Sequence, residues 1–178
     1  MIGRASKIAD LRKNGLIHSG AVLSPFSAYL ILRGMETLPL RMARHEANAR
    51  LVEDFLAGHP KVRRTLWPGS VRHEQSELAR RQMKNFSGLL SFSLHRDSAD
   101  MARRLAERLK LLSYAVSLGK TKSLCFFIPT DDILKSSFHL EGAQEAMYRD
   151  WAGEGVFRVS VGLEDADDLI SDLEQALG

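Results

Sequence analysis

The chain has 178 residues, of which 44% are hydrophobic and 26% charged, so wholesale disorder and collagen-like repetition are excluded. The single cysteine can form neither an intramolecular disulfide nor a thiolate zinc cluster, which favours a reducing compartment. No apolar run approaches the ~20 residues that a membrane-spanning helix needs. We therefore expect a cytoplasmic protein with no membrane partner, sized for one domain with or without a long connecting helix.

Charge is distributed unevenly along the chain, whose formal net charge is +3. Residues 1–50 hold 8 basic and 3 acidic side chains, whereas residues 151–178 hold 1 basic and 7 acidic ones. A basic body with an acidic tail could bind nucleic acid. Because little aromatic interleaving supports base stacking, we expect no nucleic-acid partner.

The N-terminal third is predicted to be helical. Residues 3–13 form a short basic helix that ends near Asn14-Gly15, and Ser24-Pro25 begins a second helix with proline at its first position. An apolar helical pattern then continues to Phe55, and a helix this long usually bridges two parts of a structure. Pro39 should kink or split it.

Strands and helices alternate after residue 58. Apolar or alternating segments predict strands at 62–67, 89–94, 114–116, 123–128 and 156–161, and helical patterns cover 74–83, 98–109, 141–150 and 163–177. Acidic residues from Glu164 to Asp168 suit the first turn of the last helix. We predict an α+β fold with helices covering one side of a small antiparallel sheet. Residues 1–57 would form an N-terminal segment and long helix, and residues 58–178 the α+β domain.

Arg158 is a candidate binding residue because of its place on a predicted strand. Period-two alternation puts Phe157 and Val159 on one face, and Arg158 with Ser160 on the other. A guanidinium on a rigid strand can hold a carboxylate through paired hydrogen bonds. Periodicity alone favours a simpler alternative, a surface arginine paired with a neighbouring acid.

Other polar residues give weaker signals. The turn Ser117-Leu118-Gly119 could offer backbone amides to a carboxylate or phosphate, or could merely connect two strands. The segment from Gly119 to Thr121 is similar to the end of a P-loop, but Tyr114 replaces its first glycine, so nucleotide hydrolysis is excluded. The six histidines form no pair at metal-ligand spacing, so no metal site is expected. His45 should be solvated or at the core edge, and Cys125 a buried small hydrophobe.

Several segments follow one another in a recognisable order: Gly20–Phe26, Leu32–Leu38, Arg41–His45, His59–Val62, Pro68-Gly69, Ala115–Gly119 and Arg158–Asp165. Together they resemble the Cys/Met-metabolism pyridoxal-phosphate (PLP) enzymes over roughly residues 15–178. That family includes cystathionine gamma-synthase, cystathionine beta- and gamma-lyases, methionine gamma-lyase and the homoserine sulfhydrylases.

The resemblance implies a type I, aspartate aminotransferase-like enzyme, of which this chain is the small C-terminal domain preceded by the long connecting helix. It implies that Arg158 clamps the substrate α-carboxylate, that Ser117 touches the same carboxylate, and that Leu118 supplies a backbone contact. In the complete enzyme it implies PLP and β- or γ-elimination or replacement in trans-sulfuration. The substrate would be of the homoserine ester, cystathionine or methionine type, and the enzyme a homo-oligomer.

Two departures from the family pattern limit these expectations. No lysine has the Ser-x-Thr-Lys context of the family's Schiff-base lysine, which lies in a large N-terminal domain. We therefore assign no catalytic residue, and expect neither bound PLP nor activity from this chain alone. Pro129–Leu134 replaces the family's Pro-x-x-Met-Thr-His segment, so the leaving group stays open. The alternative function is an orphan, non-catalytic domain that self-associates or binds a partner.

Overall fold

The computed structural model describes residues 3–178, whose contacts divide the chain into two compact units between Pro39 and Leu40. The first unit contains helix α1 (Ala5–Leu11), a π-helical segment (Arg12–His18) and helix α2 (Pro25–Glu36). Ser24 caps α2 as predicted, because its Oγ accepts the Ser27 N–H at 3.1 Å.

The predicted helix end near Asn14-Gly15 is wrong, because the chain stays helical through both residues as far as His18. A π-helical turn takes in one more residue than an α-helical turn. The Ser19 hydroxyl, just after this segment, donates to the Asn14 carbonyl oxygen at 3.0 Å.

The predicted interruption at Pro39 is confirmed. Helix α2 ends at Glu36, and helix α3 (Leu38–Gly58) begins two residues later. Pro39 therefore lies in the first turn of α3, where its missing N–H removes no helical hydrogen bond.

A five-stranded sheet forms the centre of the second unit. Its strands are β1 (Val62–Leu66), β2 (Leu89–Leu94), β3 (Ser113–Tyr114), β4 (Leu124–Pro129) and β5 (Gly155–Ser160), in the spatial order β1-β2-β5-β4-β3. The helices that follow α3 are α4 (Ser76–Gln82), α5 (Ser98–Arg108), α6 (Thr130–Leu134), α7 (Ala143–Ala152) and α8 (Ala166–Leu177). The mixed helix-and-strand fold is confirmed, although α6 was not predicted.

The sheet is mixed rather than antiparallel as predicted, because β3 pairs with β4 in parallel. The other three strand pairs are antiparallel. The connection through residues 115–123 crosses beside the end of β5, where the Gly119 N–H reaches Ser160. It thereby returns the chain to the end of the sheet at which β3 began, so β3 and β4 run in the same direction.

The hydrophobic core joins one face of the sheet to three helices. Leu56 of α3, Leu105 of α5 and Leu173 of α8 are fully buried together with Phe157 of β5. The Phe157 ring stacks on Phe92 with 4.9 Å between ring centroids. Each such side chain contributes about 1.5–3 kcal/mol by leaving water.

Because the second half of α3 belongs to this core, α3 and the sheet fold as one body from Leu40 onwards. The predicted domain boundary after residue 57 concerns domains in a complete enzyme and stays a prediction. Among residues 3–178, no helix combines the length and apolarity needed to cross a membrane.

Candidate functional site

Arg158 lies on β5, the middle strand of the sheet, on the face opposite the core. Its chain neighbours Phe157 and Val159 are fully buried on the core side. The strand register places Ser91 and Phe126 beside Arg158 on the two flanking strands. The half-buried Arg158 side chain forms no ion pair or hydrogen bond with any of residues 3–178. The alternative favoured by periodicity alone, a surface ion pair, is therefore not what the structure shows.

The turn Ser117-Leu118-Gly119 is attached to the same face of β5. Gly119 has a φ of +71°, a conformation that favours glycine, and donates its N–H to Ser160 Oγ at 3.1 Å. Ser160 follows Arg158 by two residues, so both side chains leave the strand on the same side. Within the described chain, the amides of Ser117 and Leu118 and the Ser117 hydroxyl make no hydrogen bond.

The start of α8 differs from the prediction, which placed Glu164 in its first turn. Helix α8 begins at Ala166, and Asp165 caps it by accepting the Asp167 N–H at 3.0 Å. The acidic residues at 167 and 168 do occupy the first turn, as predicted. Glu164 precedes the helix, and its carboxylate bonds to Ser123 instead.

Glu164 holds the far end of the loop that carries Ser117 and Leu118. Its carboxylate accepts the Ser123 N–H at 2.6 Å and the Ser123 hydroxyl at 2.8 Å. The Ser123 oxygen in turn accepts the Gly162 N–H at 2.7 Å. These three bonds connect the loop to the chain just after β5.

Helix α3 fixes the same segment from its other side. Asn48, which is 1% exposed, donates through Nδ2 to the carbonyl oxygens of Gly162 at 3.1 Å and Glu164 at 2.8 Å. His45 is buried at the core edge, with its Nδ1 2.7 Å from the Val161 carbonyl oxygen. His45 is thus a structural residue, in agreement with one of the two alternatives given by the sequence.

The arrangement suits an anion held by charge and hydrogen bonds. An unpaired guanidinium, a free hydroxyl and a free backbone N–H can all donate to a carboxylate, and a partly buried arginine does so in bidentate fashion. Neither a thiol nucleophile nor a metal-binding cluster is indicated by the described residues. Burial raises the pKa of the Cys125 thiol to about 12, and no cluster of three metal-ligating side chains occurs in residues 3–178.

Comparison with known proteins connects this chain to one family of enzymes. Residues 3–178 match the family model described as "Cys/Met metabolism PLP-dependent enzyme". An L-methionine gamma-lyase of Fusobacterium nucleatum subsp. polymorphum is 43% identical over 161 residues, which are 89% of this chain and 38% of the relative. A cystathionine gamma-lyase of Dictyostelium discoideum is 39% identical over 158 residues, 89% of this chain and 39% of the relative.

A cystathionine gamma-synthase of Mycobacterium leprae (strain TN) is 41% identical over 159 residues, 89% of this chain and 38% of the relative. The chain thus spans about two-fifths of the length of the curated relatives it matches.

Proposed function

The chain belongs to the family of Cys/Met metabolism PLP-dependent enzymes, and we propose that it is the part of such an enzyme that binds the α-carboxylate of an amino-acid substrate. It would be the small C-terminal domain of a type I, aspartate aminotransferase-like protein that assembles as a homo-oligomer. The complete protein would use PLP for β- or γ-elimination or replacement in trans-sulfuration. Its substrate would be of the homoserine ester, cystathionine or methionine type.

The observation that carries this proposal is the unpaired state of Arg158. A half-buried guanidinium without an acid partner keeps its donors for a ligand, and partial desolvation strengthens each bond that it makes. Ser117 and the Leu118 N–H supply further free donors on the loop fixed to the same strand face. Arg158 would bind the carboxylate in bidentate fashion, while Ser117 and Leu118 limit its rotation.

The lysines of this chain do not fit the role of PLP-binding residue. A Schiff-base lysine is held in a desolvated pocket, whereas seven of the eight lysines are exposed. The eighth, Lys61, donates through Nζ to the carbonyl oxygens of Leu177 at 2.6 Å and Gly178 at 3.1 Å. No catalytic step is therefore assigned to residues of this chain.

The carboxylate-binding role can be tested by NMR titration of the ¹⁵N-labelled chain with L-methionine. We expect the Leu118 amide and the Arg158 side chain to shift. Arg158→Ala should weaken binding by about 10- to 100-fold, the equivalent of one charge-assisted hydrogen-bonded pair. L-Methioninamide, which lacks the carboxylate, should cause no such shift.

Arg64→Ala is the matched control, since Arg64 is an exposed strand arginine on β1 at the far side of β2. It should leave methionine binding unchanged. Undiminished binding to the Arg158→Ala variant would disprove the proposed role.

A second candidate function, self-association of a non-catalytic domain, is favoured by the surface of α2. Its large apolar side chains are half or more exposed within the first unit: Phe26, Tyr29, Leu30, Ile31, Leu32 and Met35. Monomeric proteins rarely expose contiguous apolar surface of this kind. Self-association through α2 would use residues of the first unit, whereas Arg158 belongs to the second.

A further inference from the structure

We propose that Glu164 and Ser160 are positioning residues for the substrate carboxylate, because they hold the loop of residues 117–123 on the Arg158 side of β5. This proposal deepens the proposed function and rests on it. Neither residue would touch the ligand. Each would act through the loop, by fixing where the Ser117 hydroxyl and the Leu118 N–H lie.

The loop has little else to hold it in place. Residues 118–122 are exposed, and residues 115–123 contain no helix or strand. Besides the loop's bonds to Glu164 and Ser160, Ser123 of the loop bonds to Gly162 and Ser113. Two further hydrogen bonds are described for the loop. The Leu163 N–H donates to the Thr121 carbonyl oxygen at 2.8 Å, and the Ala115 N–H donates to the Cys125 carbonyl oxygen at 3.1 Å. An exposed segment with so few bonds opens easily unless its anchors are rigid.

Both anchors are rigid because each is fixed independently of the loop. Ser160 is 4% exposed and lies in β5 with paired strands on both sides. Glu164 has its backbone carbonyl oxygen held by the buried Asn48 of α3, while its carboxylate holds Ser123, which is fully buried. The loop is thus fixed at Gly119, one residue after Leu118, and again at Ser123.

The carboxylate of Glu164 is chemically suited to this task because Ser123 presents two donors. One oxygen accepts the Ser123 N–H, and the other accepts the hydroxyl. A glutamine side chain offers only one acceptor oxygen, so one Ser123 donor loses its partner in Glu164→Gln. At the other anchor, Ser160→Ala removes the acceptor of the Gly119 N–H, whereas Ser160→Thr retains a hydroxyl.

The test measures two properties of the folded, ¹⁵N-labelled chain: amide hydrogen exchange at Gly119 and Ser123, and the affinity for L-methionine. Glu164→Gln should raise exchange at Ser123, and Ser160→Ala should raise it at Gly119, in each case by about tenfold. Both variants should weaken methionine binding by a similar factor, and Ser160→Thr should restore it.

Glu53→Gln is the matched control for a merely structural effect. Glu53 is a buried carboxylate bonded to Thr65 and Ser70 near the β1 edge of the sheet, away from the loop. Its variant should lose stability yet keep loop exchange and methionine affinity at the wild-type values. If Glu164→Gln does not fold, the comparison of Ser160→Ala with Ser160→Thr still tests the proposal.

Wild-type exchange and affinity in both Glu164→Gln and Ser160→Ala would overturn the proposal. If the unsubstituted chain binds no methionine, the proposed carboxylate function fails for this chain. In that case the exchange measurements still decide whether Glu164 and Ser160 hold the loop.

Discussion

At the scale of single residues, the site depends on the absence of a side chain at Gly162. A Cβ built at this position would collide with the Thr121 carbonyl oxygen and a Glu164 carboxylate oxygen, and would lie 2.7 Å from the Ser123 N. Two of these three atoms belong to the hydrogen bonds between Glu164 and Ser123. A side chain at position 162 would therefore disturb the hydrogen bonds by which Glu164 holds the loop.

Gly162→Ala should destabilise the chain by about 1–3 kcal/mol, because the backbone must shift to admit a methyl group. Urea denaturation followed by circular dichroism measures this loss. Gly58→Ala is the control: nothing lies within 4 Å of the added Cβ at this helical position, so stability should stay the same or rise. Equal stability of the Gly162→Ala variant and the wild type would contradict the collision.

Residue-level prediction from sequence succeeded where the cause is local. The face of Arg158 follows from period-two alternation, which any strand imposes on its own residues. The bond from Glu164 to Ser123 spans 41 residues of sequence, and Asn48 lies farther still from its acceptors. Such contacts depend on the folded arrangement of β4, β5 and α3, so they cannot be predicted from residue spacing along the chain.

At the scale of secondary-structure elements, one carboxylate of α8 secures the connection between α5 and β3. Asp172, which is 6% exposed, accepts the N–H groups of Lys110, Leu111 and Leu112 at 2.8 to 3.2 Å. Burial raises the pKa of this carboxyl, but the backbone hydrogen bonds and one from Gln175 outweigh burial. Its pKa therefore lies below the usual 3.8.

This shift predicts a pH dependence of folding stability. Because the pKa is lower in the folded state, the carboxylate stabilises the fold above its ordinary pKa. That contribution is lost as the pH falls through the folded-state pKa. Asp172→Asn should cost about 1–3 kcal/mol at neutral pH, and less under acid conditions.

Urea unfolding of wild type and variant at several pH values between neutrality and acid measures this difference. A gap in unfolding free energy that does not narrow in acid would contradict the assignment.

The exposed apolar surface of α2 leads to a prediction about association. Sedimentation velocity should show the average sedimentation coefficient rising with concentration, because the proposed pairing of chains would bury this surface. Leu32→Glu places a charge on a side chain that is 65% exposed and should reduce the association. Arg33→Gln, at the neighbouring exposed position, is the control. A wild-type chain that is monomeric at every concentration would argue against self-association.

Elements with strong periodicity or clear end signals were predicted within a few residues, as for α2 after Ser24-Pro25 and for β2 over Leu89–Leu94. The wrong predictions have two different origins, one tertiary and one in the local main-chain bonding. The parallel pairing of β3 with β4 depends on where the 115–123 connection crosses the sheet, and the continuation through Asn14-Gly15 depends on π-helical bonding. Neither property is encoded by residue type in a short window.

At the scale of the whole molecule, the proposed function gives this chain one part of an enzyme's task, the binding of the substrate carboxylate. The donors for a carboxylate are present, whereas the lysines are exposed or, at Lys61, engaged with the chain terminus. Adding one equivalent of PLP should therefore give no stoichiometric aldimine at any single lysine. Borohydride treatment followed by mass spectrometry checks this, and a stoichiometric adduct at a single lysine would contradict it.

Because Arg158 lies on the middle strand, the proposed binding of an anion there is coupled to the stability of the whole sheet. Strand β5 cannot detach without the sheet coming apart, because β2 and β4 pair with it on either side. An anion bound by Arg158 would therefore bind only to the folded form of the second unit. By mass action, the anion should raise the melting temperature of the chain, and the rise should follow the logarithm of the anion concentration once that concentration is well above the Kd.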